Sequence, residues 1–360
     1  MLRKISLSLL TITSFLSVKA QDVVDSAKTA EASPKTFAVS GYVDAYYRFN
    51  FSNSKEATNN LTSFTNSQNS FELGMASVKL EHSMGKVGVV ADLGFGRRAE
   101  EFSYNDENTL LAIKQAYVTY APSSSLKFTA GSFATHVGYE LVDPHLNRNY
   151  SMSYMFSYGP FFHTGVKADL TAGKSGFMVG IANPTDLKSA NFSQKWLIAQ
   201  YSLAATDKVK LFLNYQGGNK QDEDKTRLRQ YDLVLTAGIS DKFSIGYNGT
   251  VQNRTARQTG GKYGDGNSWW GSAVYLNVDP TTSFGLTLRA EYVSDKKDVL
   301  GGYINSSIFA PTLSANFKVG GLTIIPEVRL DNSSKEIFEK RDGSTTKSTS
   351  SALMAVVYKF

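Results

Sequence analysis

Residues Ser350–Phe360 read SSALMAVVYKF. One parity carries Ala352, Met354, Val356, Tyr358 and Phe360, all apolar or aromatic. The other is mixed, with Ser351, Leu353, Ala355, Val357 and Lys359. Successive side chains of a strand point to opposite faces, so alternation with period two predicts a strand with one greasy face. A strand that ends the chain on an aromatic residue is unusual for a soluble domain. Its meaning depends on whether the same face recurs upstream.

It recurs from the start of the pattern onward. Phe37, Val39, Val43, Ala45, Tyr47, Phe49 and Phe51 share one parity, and Ser40, Tyr42, Asp44, Tyr46, Arg48 and Asn50 share the other. An apolar face toward lipid and a charged face toward something wet explain about fifteen such residues, where strands of soluble proteins average about five or six. Further strands are predicted near 71–82, 85–96, 110–121, 125–134, 161–172, 175–183, 195–204 and 207–216. The remainder fall near 228–239, 242–253, 268–279, 283–294, 305–317, 321–331 and 350–360, which makes sixteen with the first. Val87/Val89/Ala91/Leu93/Phe95, Val209/Leu211/Leu213/Tyr215 and Phe284/Leu286/Leu288/Ala290/Tyr292 alternate most clearly. The segments 71–82 and 268–279 change parity midway, which predicts a bulge in each.

The connections alternate strictly between short and long. The short ones include Gly173-Lys174, Ala205-Thr206, Ser240-Asp241 and Val319-Gly320-Gly321; the long ones cover 52–70, 97–109, 135–160, 184–194, 217–227, 254–267, 295–304 and 332–349. Short turns at one end and long polar loops at the other are the layout of a membrane barrel. The expected fold is therefore all-β: a transmembrane, antiparallel, up-and-down β-barrel of about sixteen strands, with short periplasmic turns and long extracellular loops. A propeller or a sandwich also has short strands and turns, but neither calls for a fifteen-residue opening strand.

Ahead of the barrel, Arg3 and Lys4 precede the mostly apolar run Ile5–Val18, and Val18-Lys19-Ala20 offers small residues for cleavage. Residues 1–20 are read as a secretory signal peptide, 21–36 as a flexible periplasmic lead-in, and 37–360 as the barrel. The absence of cysteine excludes a lipid anchor on Cys and disulfide stapling. Only 8 Pro stand against 29 Gly, 19 Tyr and 22 Phe, a composition suited to strands, turns and membrane interfaces. The formal charge of +6 falls to +3 once Arg3, Lys4 and Lys19 are set aside, and the positive residues are scattered among acidic ones. A nucleic-acid binder would cluster them, so no nucleic-acid partner is expected.

Two resemblances add to this reading. The last strand resembles the closing strand of bacterial outer-membrane barrels, in which the terminal aromatic serves as the assembly signal; Tyr358 and Phe360 occupy that place. From Ala116 to Val166, Gly131-Ser132-Phe133, Gly138-Tyr139-Glu140, Asn149-Tyr150-Ser151 with Ser153, and Pro160-Phe161-Phe162-His163-Thr164-Gly165 resemble the putative β-barrel porin-2 (OmpL-like) family. That resemblance implies a pore-forming barrel in the outer membrane of a Gram-negative bacterium. It carries over no catalytic residue.

The residues themselves offer little bond chemistry. His82, His136, His145 and His163 lack metal-ligand spacing, and no Gly-x-Ser-x-Gly elbow is present. Asp222-Glu223-Asp224 reads as a solvated charge run rather than a Ca²⁺ site. Neither a metal, a cofactor nor an enzymatic activity is expected. The pore-lining candidates are the charges on wet parities: Asp44, Arg48, Asp92, Arg289, Glu291, Glu327 and Arg329. On the lipid side each would cost about 2–4 kcal/mol near the midplane. The loop near 135–160 is rich in aromatic and apolar residues, which an exposed loop would bury, either by folding into the lumen as a constriction or by packing over the mouth or against a neighbouring subunit. Tyr139, Glu140, Asp143 and Arg148 are the constriction candidates, with Glu140 and Asp143 facing wall arginines. The chain is thus expected to be a passive channel for small hydrophilic solutes or ions. Its other partners would be outer-membrane lipid and lipopolysaccharide and the barrel assembly machinery, with a homo-oligomer left open. The rival is a barrel with a plugged lumen whose loops bind a surface, as an adhesin does.

Overall fold

In the computed structural model, residues 36–219, 226–258, 262–302 and 304–360 are described. The proposed signal peptide, nearly all of the lead-in and Asp222-Glu223-Asp224 lie outside them. Alternation becomes β1 (Thr36–Asn50), β2 (Ser70–Met84), β3 (Val87–Phe95), β4 (Ile113–Tyr120), β5 (Leu126–Ala134) and β6 (Phe162–Ala172). Then come β7 (Ser175–Ala182), β8 (Trp196–Ala204), β9 (Val209–Asn219), β10 (Arg227–Ser240), β11 (Phe243–Thr255) and β12 (Asn267–Thr281). The wall ends with β13 (Phe284–Ser294), β14 (Ser307–Val319), β15 (Leu322–Ser333) and β18 (Ser348–Lys359); a small hairpin of β16 (Phe338–Glu339) and β17 (Thr345–Thr346) stands outside it.

Each of the sixteen wall strands pairs antiparallel with its neighbours, and β1 pairs with β18 to close the barrel. Closure leaves no sheet edge, the condition for placing strands in hydrocarbon. At the seam Gly41 N donates to Phe360 O at 3.1 Å and Phe360 N to Gly41 O at 3.0 Å. A side chain at position 41 would strike Ser77 O and the Phe360 ring. The short turns gather at the end that holds Thr36 and Phe360; Gly173 and Gly320 take left-handed φ of 60° and 58° there, which suits glycine.

The two faces of the wall divide as the parity demands. On β13, Leu286, Leu288, Ala290 and Tyr292 alternate with fully buried Thr287, Arg289 and Glu291. On β18, Met354, Val356 and Tyr358 point outward, as does Phe360 just beyond it.

Of the two expected bulges, one is present. Between Val43 and Ala45 the β1–β2 register slips, so that Gly74 and Met75 face Asp44, and Met75 N donates to the Asp44 carboxylate at 3.0 Å. In β12 the pairing with β11 runs unbroken from Asn267 to Val278, and the register slips only at the turn end. The apparent parity change has another cause. Trp269, Ala273 and Tyr275 point inward yet are apolar, because they meet a buried loop instead of water.

Candidate functional site: the loop inside the barrel

The connection from β5 to β6, residues 135–161, runs through the lumen. A loop inside a barrel has no ladder of its own, so its backbone needs partners from the wall. The wall charges supply them. Glu327 accepts from Tyr150 N at 2.8 Å and from Ser151 N at 3.2 Å, and Glu291 accepts from Met155 N at 3.1 Å. Arg289 donates to Ser151 O at 2.7 Å and Arg329 to Met152 O at 2.8 Å. These four residues, which sequence placed on the wet side, point inward and lie beneath the loop, at most 6% exposed.

The loop's own candidates reach the wall in turn. Glu140 accepts from Arg289 at 2.6 Å and from Ser153 N at 2.7 Å, so its expected arginine partner is present. Asp143 departs from expectation: its partner is Lys114 at 2.6 Å, with Tyr42 OH at 2.9 Å. Lys114 sits where the β3–β4 register slips between Asp92 and Leu93, which turns an otherwise unassigned lysine inward. It also bonds Asp92 at 3.0 Å, so one ammonium is shared by two carboxylates. Tyr139 stacks on Tyr275 with ring centres 4.0 Å apart, and Arg148 forms a two-pronged pair with Asp279.

Other loops fold inward as well. Arg48 donates to Thr58 O and Ser67 O at 2.9 and 2.7 Å, holding the loop between β1 and β2. Asp44 accepts from Tyr150 OH as well as from Met75 N. The helix α1 (Arg97–Phe102), between β3 and β4, carries fully buried Arg98. Its guanidinium lies 4.9 Å from the Phe64 and Tyr150 ring centres and donates to Val142 O at 3.2 Å. Sequence reasoning missed Arg98, because a six-residue helix inside a loop shows no period. Its one available signal was the pair Arg97-Arg98 right after a strand.

Phe64, Phe102, Met152, Phe156, Phe161 and Phe162 form a buried cluster among these loops. On the long-loop side lies a cavity of about 670 Å³, lined by Tyr104, Tyr158, Trp196, Arg254 and Asp186 among others. Toward the short turns a smaller one of about 60 Å³ is lined by Lys127, Asp169 and Gln200 among others; the two share no lining residue. Asp186, in the loop after β7, accepts from Phe161 N at 2.7 Å and Phe162 N at 3.0 Å. Burial pushes its carboxyl up to about 7, against the pull of those two amides.

The four histidines are scattered, apart from His136 and His163 with ring centres 5.1 Å apart. Among the described residues no group of three or more metal-ligating side chains assembles. Tyr358 and Phe360 are half exposed on the outer wall at the short-turn end.

A closed sixteen-stranded barrel, greasy outside and polar within, with inward loops, defines the class of outer-membrane porins. The chain belongs to the family described as putative beta-barrel porin-2, OmpL-like, whose model matches residues 36–360. Its fold is similar to the outer-membrane channel DcaP of Acinetobacter baumannii, at TM-score 0.64 and 13% identity over 91% of this chain and 97% of that one. It is also similar to an anion-selective porin from Comamonas acidovorans (0.60, 9%, 91% and 100%). The trimer form of OmpT from Vibrio cholerae follows at 0.57 and 10%, over 91% and 100%. No curated protein matches the sequence. The protein is an outer-membrane channel.

Proposed function

We propose that small hydrophilic solutes cross by passive diffusion past a constriction made by the 135–161 loop, without bond chemistry. The observation that carries this reading is the buried Glu140–Arg289 pair, 2.6 Å long, which ties the loop to the wall strand β13. A loop held by charge-assisted bonds at several wall strands keeps a fixed cross-section, and the field of the charges that hold it biases which solutes pass. Around this constriction Asp44, Arg48, Asp92, Glu327 and Arg329 act first as anchors, and the field they set up is what a solute meets. Tyr358 and Phe360, exposed at the chain end, fit a signal read by the assembly machinery.

The test is single-channel conductance of the folded barrel in a planar bilayer under a salt gradient. Deleting Val142–Ser153 should raise conductance several-fold and shift the reversal potential, because Arg289 and Arg329 then face water. An unchanged conductance in a folded barrel would rule out the constriction. Removing Phe360 should lower the amount of barrel assembled in cells while leaving refolding in detergent intact; equal assembly would dismiss the signal role.

A further inference from the structure

At the long-loop rim, outside the lumen, β1, β15 and β18 border a cavity of about 750 Å³. Its lower side is apolar: Phe51, just after β1, and Leu330, on β15, both point outward and are 59% and 43% exposed. Its upper side carries Lys55, Lys340 and Arg341, all exposed, and none is in an ion pair among the described residues. Asp342 also lines it; its carboxylate accepts from Ser344 N at 3.0 Å and Ser344 Oγ at 2.7 Å, bonds that keep it ionised, so the three cations leave the lining with a positive excess.

The basic groups are held in place from two segments. Lys340 and Arg341 form the tip of the β16–β17 hairpin, whose base is pinned by buried Phe338. Glu339 N donates to Asn59 Oδ1 at 2.9 Å and Asn59 Nδ2 to Glu339 O at 2.7 Å, while Ser54 donates to the Glu339 carboxylate. Those bonds fasten the hairpin to the loop that carries Lys55. Three cations therefore converge above an apolar strip at the long-loop end of the wall.

We propose that this rim cavity binds a phosphate-bearing glycolipid of the outer leaflet, phosphates against Lys55, Lys340 and Arg341, acyl chains along Phe51 and Leu330. Charge complementarity selects the occupant: cations beside a membrane surface attract anionic headgroups, and apolar side chains below them suit the chains of the same molecule. A free anion would use the cations but gain nothing from Phe51 and Leu330. The inference needs the barrel's orientation in the membrane and is independent of the constriction.

The test is native mass spectrometry of the folded full-length barrel released from detergent containing lipid A, with a zwitterionic phospholipid as comparison. Wild type should retain lipid A in preference to the phospholipid. The triple variant Lys55→Gln/Lys340→Gln/Arg341→Gln should retain about tenfold less or lower still. Lys208→Gln/Lys242→Gln, at the opposite end of the barrel, should behave as wild type. Phe51→Gln should weaken retention several-fold, and millimolar inorganic phosphate should fail to displace the lipid. Equal retention by the triple variant, equal loss in the short-turn variant, or complete displacement by phosphate would each overturn the proposal. All substituted side chains are exposed, so folding is verified by heat-modifiable migration on a gel.

Discussion

The two halves of the barrel interior satisfy their polar groups in different ways. Along β13 and β15, the wall presents Arg289, Glu291, Glu327 and Arg329, and these spend hydrogen bonds on the loop. Along β8 to β11, the inward residues are mostly amides that bond one another from strand to strand. Gln200 donates to Asn214, Asn214 and Asn248 both donate to Asp232, and Gln216 donates to Gln230, each at 2.7 Å. The loop meets this side more sparingly, through Gly138 N on Asp232 and His136 on Tyr215 O, each at 3.0 Å, and through Gln200 on His136 O at 3.2 Å. Charges serve where a wall must grip an irregular backbone, since ionic hydrogen bonds are the stronger kind. Amides gathered around a single carboxylate, Asp232, suffice where the wall has mainly to satisfy itself.

The largest test of this contrast is on the charged side. Arg289→Ala leaves Glu140 and the Ser151 carbonyl buried without their main partner, and should cost about 3–5 kcal/mol of stability. Glu140→Gln combined with Arg289→Met should recover much of that loss, and urea unfolding in lipid vesicles would measure both. A double variant as weak as the single would mean that the pair does not act as a unit. A smaller effect is expected on the amide side. Gln230→Leu removes bonds to Gln216, Thr250 and Gln252 and should cost about 1–3 kcal/mol, with single-channel conductance unchanged. A conductance change as large as that from deleting Val142–Ser153 would erase the distinction between the halves.

The smallest effect is local and depends on pH. The Asp186 carboxyl, held near 7 when folded, titrates near 3.8 when the loop opens. Its contribution is full below about pH 4 and is lost as pH rises through 7, because the folded site prefers the proton. Amide exchange at Phe161 and Phe162, corrected for its intrinsic pH dependence, should therefore show weaker protection at pH 8 than at pH 5.5. Asp186→Asn should flatten that difference, and a difference that persists would assign it to another group.

The outer wall was legible in the sequence because lipid demands a single kind of side chain. Strand number, turn alternation and the inward parity of Asp44, Arg48, Arg289 and Glu327 all follow from that demand. The interior was legible only in part. Trp269 and Tyr275 broke the pattern of β12 because their surroundings are loop, and parity cannot distinguish lipid from a dry interior. Lys114 could not be assigned to Asp143 because a register slip, invisible in a single strand, turns it inward. Arg98 and Phe64 lie in loops, where position is set by contacts distant in sequence.

The seam at Gly41 and Phe360 has a kinetic consequence. Asn50 bonds Thr349 across it, 299 residues along the chain. Closing contacts of such length come at the end of a folding path, since loop closure must precede any reward from pairing. Until the last strand arrives, β1 keeps an unpaired edge that can recruit strands from other chains. The protein is therefore most vulnerable to aggregation while its own first strand waits for its last, and any agent that shields β1 during that interval would raise the yield of closed barrels.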